Sequence, residues 1–443
     1  MSGIRHSYGT KQKLAVVLII IGVLLLFFRE KKYPDVILIT IDSLRADHLS
    51  CYGYKRLTSP NIDKLASEGV VFRNCFTASD VTTGSFPAML TGLYLINYFS
   101  VDEVQSDILG RKFTTLAEHL KRLGYQTAAF SGNPCLNRGS GFEQGFDIYE
   151  SPYGNTLKIT EKVLNYLHLY LPSNRNPLFL WVHYLDPHYP YSPPKEYERL
   201  FKNDLLYQEN DKIWATFIPA TEDEPLLIGA FSGYRYPLNE LISCYDAEIN
   251  FVDYNVGRIL RSLPRDAVII ITADHGESLG EDNECGHGSF TETTLHIPLI
   301  IKDNKHFKGG KSILSAVSSI DIVPTILNTV SRVYYFFLRG KFQGIDLSEL
   351  LKQDRGRRKY IYSYNPPLAI IREVNKNIVV PNYNHKGYKR TDDRQDLFLL
   401  RQEMKKTLKR WLRNNSTPSS LSPNKGKLDK DTLDNLRNLG YTQ

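Results

Sequence analysis

The stretch TADHGESLGEDNECGHG, residues 272–288, follows the apolar run AVIII and gathers Asp274, His275, Glu277, Glu281, Asp282, Glu284 and His287 in one short segment. Mixed carboxylate and imidazole donors suit a divalent cation held by oxygen and nitrogen, or proton transfer to a reacting group. Asp274 and His275 come directly after the apolar run, where a buried strand would deliver them to a fixed place. Glu277, Glu281, Asp282 and Glu284 read as a solvated loop. Asp42 ends a second apolar run, VILITI, and His183, Asp186 and His188 follow a third, LFLW. Asp42, Asp274 and His275 are therefore the first candidate metal ligands. A lone aspartate is more often a helix cap, but three donors at strand ends favour one shared site. The segment ASDVTTGSFPAMLTG, residues 78–92, is rich in hydroxyls. A hydroxyl beside a cation loses its proton more easily and can attack an electrophile. The same residue types open helices as N-caps, and both readings stand at this point.

Elements that could position these groups follow from the pattern around them. Strand-like runs recur at DVILITI, YQTAAFSGN, PLFLWVHY, AVIIITA and PLIIK, separated by helix-like stretches such as SPNIDKLASEG, FTTLAEHLKRLG and LISCYDAEINFVDYNVGRILRSLP. Strands alternating with helices predict a doubly wound, mainly parallel α/β sheet, whose ligands bind beyond the carboxyl ends of the strands. Each polar cluster sits at such an end: Asp42, Asn133 after AAFSG, His183 to His188, and Asp274 with His275. After about residue 330 the strand-like runs shorten (KYIYSYN, LAIIREV, NIVVPN), which predicts a small C-terminal domain. A Ser/Pro-rich stretch and a last short helix then close the sequence.

The ordered motifs IDSLRADHLSCYGY, TSPNIDKLASEGVVF, SFPAMLTGLY, YLDPHYPYSPP, ADHGESLGEDNECGHG, HIPLIIK and SIDIVPTIL resemble the sulfatase family of the alkaline phosphatase superfamily over roughly residues 34–330. The resemblance implies a large, mainly parallel sheet flanked by helices, followed by a small antiparallel α+β domain. It also places the nucleophile at Thr82, ten residues before Gly92, where sulfatases carry the cysteine or serine that becomes formylglycine. Threonine cannot give formylglycine, because its secondary alcohol oxidises to a ketone. Gly84 and Phe86 stand where the family has proline and arginine. Gly132, Asn133, Pro134 and Cys135 replace a Gly-Lys-Trp-His segment, and His287 replaces a lysine. Asp42 is followed by Ser43 rather than by a second acid.

These departures resemble the phosphoryl-handling branches of the superfamily, which use a metal-bound threonine. By that likeness Asp42, Thr82, Asp274 and His275 hold a single divalent ion (Mn, Mg, Zn or Ca) and Thr82 attacks phosphorus. Asn133 contacts the phosphoryl oxygens, His188 binds the ester or protonates the leaving group, and His287 binds and donates with a pH dependence near its ordinary pKa of about 6.5. Asp186 is a candidate for a second metal. His183 is as fit for a structural role as for a functional one. A sulfuric ester hydrolase without formylglycine is the alternative, and a binding protein that has lost catalysis is a third reading.

The remaining features bound the setting. Residues 14–28, LAVVLIIIGVLLLFF, form an uninterrupted apolar run that is roughly 22 Å long as a helix, a little short of the ~30 Å hydrocarbon core. Arg29, Glu30, Lys31 and Lys32 follow in place of a small-residue cleavage site, so a retained single-pass anchor in the cell membrane is expected, with an extracytoplasmic catalytic domain. The organisation expected is thus an anchor over 1–32, a catalytic domain over 33–330, a small domain over 331–402 and a basic tail with terminal helix over 403–443. A formal charge of +7 concentrated near the termini gives no nucleic-acid signature. The substrate expected is an ester on a lipid head group, a glycan or a nucleotide. The five cysteines form no CxxC pair, which leaves at least one without an intrachain partner.

Overall fold

The computed structural model describes residues 33–94, 109–172, 176–202, 214–216, 235–281, 285–356, 358–365, 368–373, 378–381 and 404–413. From Asp35 onward the chain forms one compact unit. At its centre is a nine-stranded sheet. Its strands are β1 (Val36–Ile41), β2 (Val70–Phe76), β3 (Gln126–Ser131), β4 (Ile148–Glu150), β5 (Leu178–Tyr184), β6 (Val268–Ala273), β7 (His296–Lys302), β8 (Lys311–Ile313) and β9 (Val317–Ser318). The order is β8-β2-β7-β6-β1-β5-β3-β4, with β9 also on β2. All pairings are parallel except those of β7, which runs antiparallel to both β2 and β6.

The apolar runs are continuous because their strands are covered on both faces. Every residue of β1, β5 and β6 is buried, the pattern of parallel strands with helices on either side. Helices α1 (Pro60–Glu68), α2 (Thr82–Thr91), α3 (Leu116–Arg122), α4 (Thr156–Tyr170), α5 (Leu238–Ser262) and α6 (Ile322–Val330) include those connecting the strands. Their starts follow the sequence. Proline opens α1, and Thr115 and Glu118 form a reciprocal capping box at α3, satisfying two otherwise orphaned backbone donors.

The runs beyond residue 330 form a three-stranded antiparallel sheet, Tyr360–Asn365, Leu368–Glu373 and Ile378–Pro381. Ile361 and Ile370 pack on Phe76, Phe290 and Leu295 of the larger layer. Residues 404–413 are helical and bury Met404 and Leu408 against Ile371, so part of the expected basic tail is docked rather than solvated. All five cysteines are free thiols. The apolar run 14–28 and the terminal helix expected near residue 440 lie outside the described residues. Among those described, no helix is long and apolar enough to cross a membrane.

Candidate active site

Adjacent strands β6, β1, β5 and β3 end side by side, and their registers align the catalytic candidates. Thr40 lies opposite both His183 and Thr272, and Ser131 lies opposite His183. With neighbouring strands about 4.8 Å apart, the residues just beyond these ends meet. Asp42, His183, Asp274 and His275 are completely buried, and Thr82 and Asn133 nearly so.

Asp42 is the hub. Asn133 Nδ2 donates to its Oδ2 at 2.5 Å, His183 Nε2 lies 3.3 Å from the same oxygen, and His275 Nε2 lies 3.6 Å from Oδ1. His275 Nε2 is also 3.5 Å from Asp274 Oδ2. The other oxygen of Asp274 accepts from the amides of His275 at 2.9 Å and Ser43 at 3.3 Å. Ser43 reaches that position with φ of 55°, an uncommon conformation for a residue with a side chain. It is pinned there by Tyr245, whose hydroxyl donates to its carbonyl at 2.7 Å.

Thr82 is the first residue of α2. Its Oγ1 lies 3.3 Å from His275 Nε2 and accepts from Asn133 Nδ2 at 3.4 Å. One turn on, Ser85 Oγ donates to the Asp274 carbonyl at 2.7 Å, tying the helix to the end of β6. The hydroxyl thus sits at a helix N-terminus, where exposed amides and the helix dipole favour negative charge. His287 lies tilted against His275 with ring centres 4.3 Å apart, and His188 lies edge-on to His287 at 5.1 Å. His188 Nδ1 is 2.5 Å from the Tyr189 carbonyl, an acceptor that places the proton on Nδ1. The fold thus brings Asp42, Thr82, Asn133, Asp274 and His275 together, with His287 and His188 beside them.

The electrostatics favour a cation. Burial would push Asp42 up, yet the imidazoles of His183, His188 and His275 hold it well below the usual carboxylate range. Asp274 is displaced upward by burial and by the Asp42 charge. Burial pulls His275 down, and the Asp274 and Asp42 carboxylates outweigh that pull and raise it. Two facing carboxylates are strained without positive charge between them. Asp274 Oδ2 and His183 Nε2 are buried without a hydrogen-bond partner, and Asp42, His183 and Asp274 offer donor atoms within 4.8 Å of one another. Oxygen and nitrogen donors at this spacing fit a divalent ion.

Two expectations change. Glu277 is completely buried, not solvated, with Oε1 3.5 Å from His287 Nδ1. Its place is fixed by Arg45, which donates to the Glu277 carbonyl at 3.2 Å and to Glu281 at 2.7 Å. Asp282 and Glu284 lie outside the described residues. His287 does not titrate near its ordinary value, because burial and then the neighbouring His275 lower it to about 4. Asp186 accepts from Thr156 Oγ1 at 2.5 Å, and its carboxyl is raised by burial. Sequence reasoning gave His183 even odds, and nothing marked Arg45. A signal for His183 was available in its place at the end of β5, next to the strand that carries Asp42.

Phe86, in the arginine position of the resemblance, is fully buried with its ring edge-on to His183 at 4.8 Å. No charge is delivered there.

The Sulfatase family model matches residues 34–331, and the chain belongs to the sulfatase family. It is 23% identical over 399 residues to an arylsulfatase of Clostridium perfringens, covering 74% of this chain and 81% of that one. It is 26% identical over 381 residues to the multifunctional alkaline phosphatase superfamily protein PehA of Trinickia caryophylli, covering 66% and 73%. Among solved structures, a phosphonate monoester hydrolase of Agrobacterium radiobacter superimposes with a TM-score of 0.66 over 86% of this chain and 96% of its own, at 20% identity, a likeness of fold. The protein is thus a sulfatase-family hydrolase with a mixed α/β sulfatase-like fold. Family enzymes normally use a divalent metal ion, in keeping with the buried Asp42, His183 and Asp274 cluster.

Proposed function

We propose that this protein cleaves or transfers phosphate esters through Thr82 as a covalent nucleophile, at a membrane to which residues 14–28 anchor it. The observation that carries the reading is the seat of Thr82 Oγ1, buried at a helix N-terminus between His275 and Asn133. Asp42, Asp274 and His275 would hold the cation with Thr82 as a further ligand; bound there, the ion supplies the charge that eases loss of the hydroxyl proton and steadies the anionic ester.

The residues themselves then divide the work. Thr82 Oγ1 gives up its proton to solvent and forms the bond to phosphorus as the bond to the leaving oxygen breaks, and His188, entering as the imidazolium with Nδ1–H on the Tyr189 carbonyl, delivers its Nε2 proton to that oxygen. Asn133 orients Asp42 and Thr82 together. His287, neutral at physiological pH, donates a hydrogen bond to the phosphoryl group without adding charge. In the second step water or an acceptor hydroxyl attacks phosphorus, the bond to Oγ1 breaks, and Thr82 regains its proton.

Charge narrows the ester further. A divalent ion balanced by two carboxylates, beside a neutral His287 and an apolar Phe86, leaves little surplus positive charge. That favours a monoanionic diester over a dianionic monoester. Sulfuric ester hydrolysis without formylglycine is the second reading, supported by the family match and by the arylsulfatase among the relatives.

The test is turnover by the full-length chain, loaded with Mn, of an aryl phosphodiester, an aryl phosphomonoester and an aryl sulfate. The phosphodiester is expected to be turned over, and Thr82→Ala to lose at least about a thousandfold of that rate while still binding metal. Activity largely retained in Thr82→Ala would overturn the covalent scheme, and turnover of the sulfate alone would select the second reading.

A further inference from the structure

We infer that His183 is itself a metal ligand, through Nε2, and that it stands in for the carboxylate missing at Ser43. This rests on the metal reading above and extends it to a residue outside that ligand set. Ser43 offers the site only its amide and hydroxyl, the former to Asp274 at 3.3 Å and the latter to Asp42 Oδ1 at 3.3 Å. Beside the family pattern, the donor set has one carboxylate fewer. His183, on the neighbouring strand, brings Nε2 to 3.3 Å from Asp42 Oδ2 in a wholly buried place.

The proton inventory around the ring supports a bare Nε2. Trp181 Nε1 donates to Thr40 Oγ1 at 3.0 Å, and the Thr40 hydroxyl has the Val182 carbonyl as acceptor at 3.4 Å. With its proton on that carbonyl, Thr40 Oγ1 is the acceptor for His183 Nδ1, 3.0 Å away. With the proton on Nδ1, Nε2 can turn its lone pair to a cation held between it and Asp42 Oδ2. The absence of a hydrogen bond at Nε2 agrees with this. A ligating histidine whose other nitrogen is held by a fixed partner is the usual arrangement at metal sites. Phe86, edge-on to His183, and Trp181, which fixes Thr40, leave the ring one orientation.

Two departures are thereby joined. Ser43 removes a carboxylate, and Phe86 turns an arginine position into packing for the imidazole that replaces it. With His275 and His183 both ligating, the site has two nitrogen and two carboxylate donors, which suits Mn(II) or Zn(II) over Ca(II), an ion that takes oxygen ligands.

The test is electron spin-echo envelope modulation on the Mn-loaded full-length chain, which counts coordinated histidine nitrogens, together with Mn affinity by EPR titration. Two nitrogens are expected in the parent and one in both His183→Ala and His183→Gln, with Mn affinity weakened roughly a hundredfold or more, the upper end of what losing an outer partner does. One nitrogen in the parent, while it still binds Mn, would overturn the assignment of His183 and leave the metal reading intact. A parent that binds neither Mn nor Zn would remove both.

Discussion

A methyl group added at Gly84 tests how tightly the nucleophile's helix is seated. An ideal Cβ at Gly84 falls 2.2 Å from Ser79 Oγ and 2.7 Å from Ser79 Cβ. Rotating the serine hydroxyl relieves the first contact and leaves the second. The two carbons must part by about 0.8 Å to reach the ~3.5 Å of ordinary contact, and Ser79 is 1% exposed, so the backbone has to yield. Overpacking of this kind destabilises by about 1–3 kcal/mol. Gly84 is in the first turn of α2, two residues after Thr82, so the same displacement reaches Oγ1. A misplacement of about 1 Å in a reacting group lowers the rate by about a hundredfold. Gly84→Ala is therefore expected to lower both the apparent thermal midpoint and the turnover of an aryl phosphodiester. Ser79→Gly removes the obstructing Cβ, and the double substitution should recover most of both losses, a coupling that a double-mutant cycle reads directly. Parental stability and turnover in Gly84→Ala, or no recovery in the double variant, would refute the steric reasoning.

Two further outcomes follow from the buried charges. His119, buried between α3 and the segment that carries Tyr334 and Phe342, is lowered from 6.5 to about 4 by burial and then by Arg122 and Lys341. The fold keeps it neutral, so between pH 6.5 and 4 the unfolded chain takes up a proton that the fold refuses. Stability should be full above about pH 6.5 and fall by up to about 3 kcal/mol as pH drops to 4, at ~1.36 kcal/mol per unit. His119→Gln should flatten that part of the pH profile in denaturant unfolding, and an unchanged profile would contradict it. Separately, stripping metal with a chelator and restoring Mn at about a hundred times its Kd should add about 2.7 kcal/mol of stability. The gain should vanish in Asp42→Asn, and a gain of equal size in that variant would place the ion elsewhere.

Much of the site was legible because parallel strands buried on both faces announce themselves as apolar runs, and the first polar residue after each run is where the chain leaves the sheet. Asp42, Asn133, Asp274 and His275 were found that way or by the family resemblance, and Thr82 by its distance from Gly92. His183 was harder. It lies inside the run LFLWVHY, where an imidazole has as good a reason to be satisfied by a neighbouring hydroxyl as to bind a metal, and only the register with Thr40 decides its surroundings. Glu277 was misread because an acidic residue among glycines and acids looks solvated. Its burial depends on Arg45 reaching over from residues more than two hundred positions away. The low value of His287 is likewise a product of burial and of His275 close beside it, neither of which a sequence displays. The antiparallel direction of β7 left no trace either, since a buried strand reads the same in both directions.

The stereochemistry at phosphorus tests the central claim most directly. Hydrolysis of a chiral aryl phosphorothioate diester in 18O-labelled water proceeds with net retention if Thr82 is first substituted at phosphorus and then displaced, because two in-line inversions cancel. The account predicts retention. Inversion would mean that water attacks the ester directly and that Thr82 is not the nucleophile.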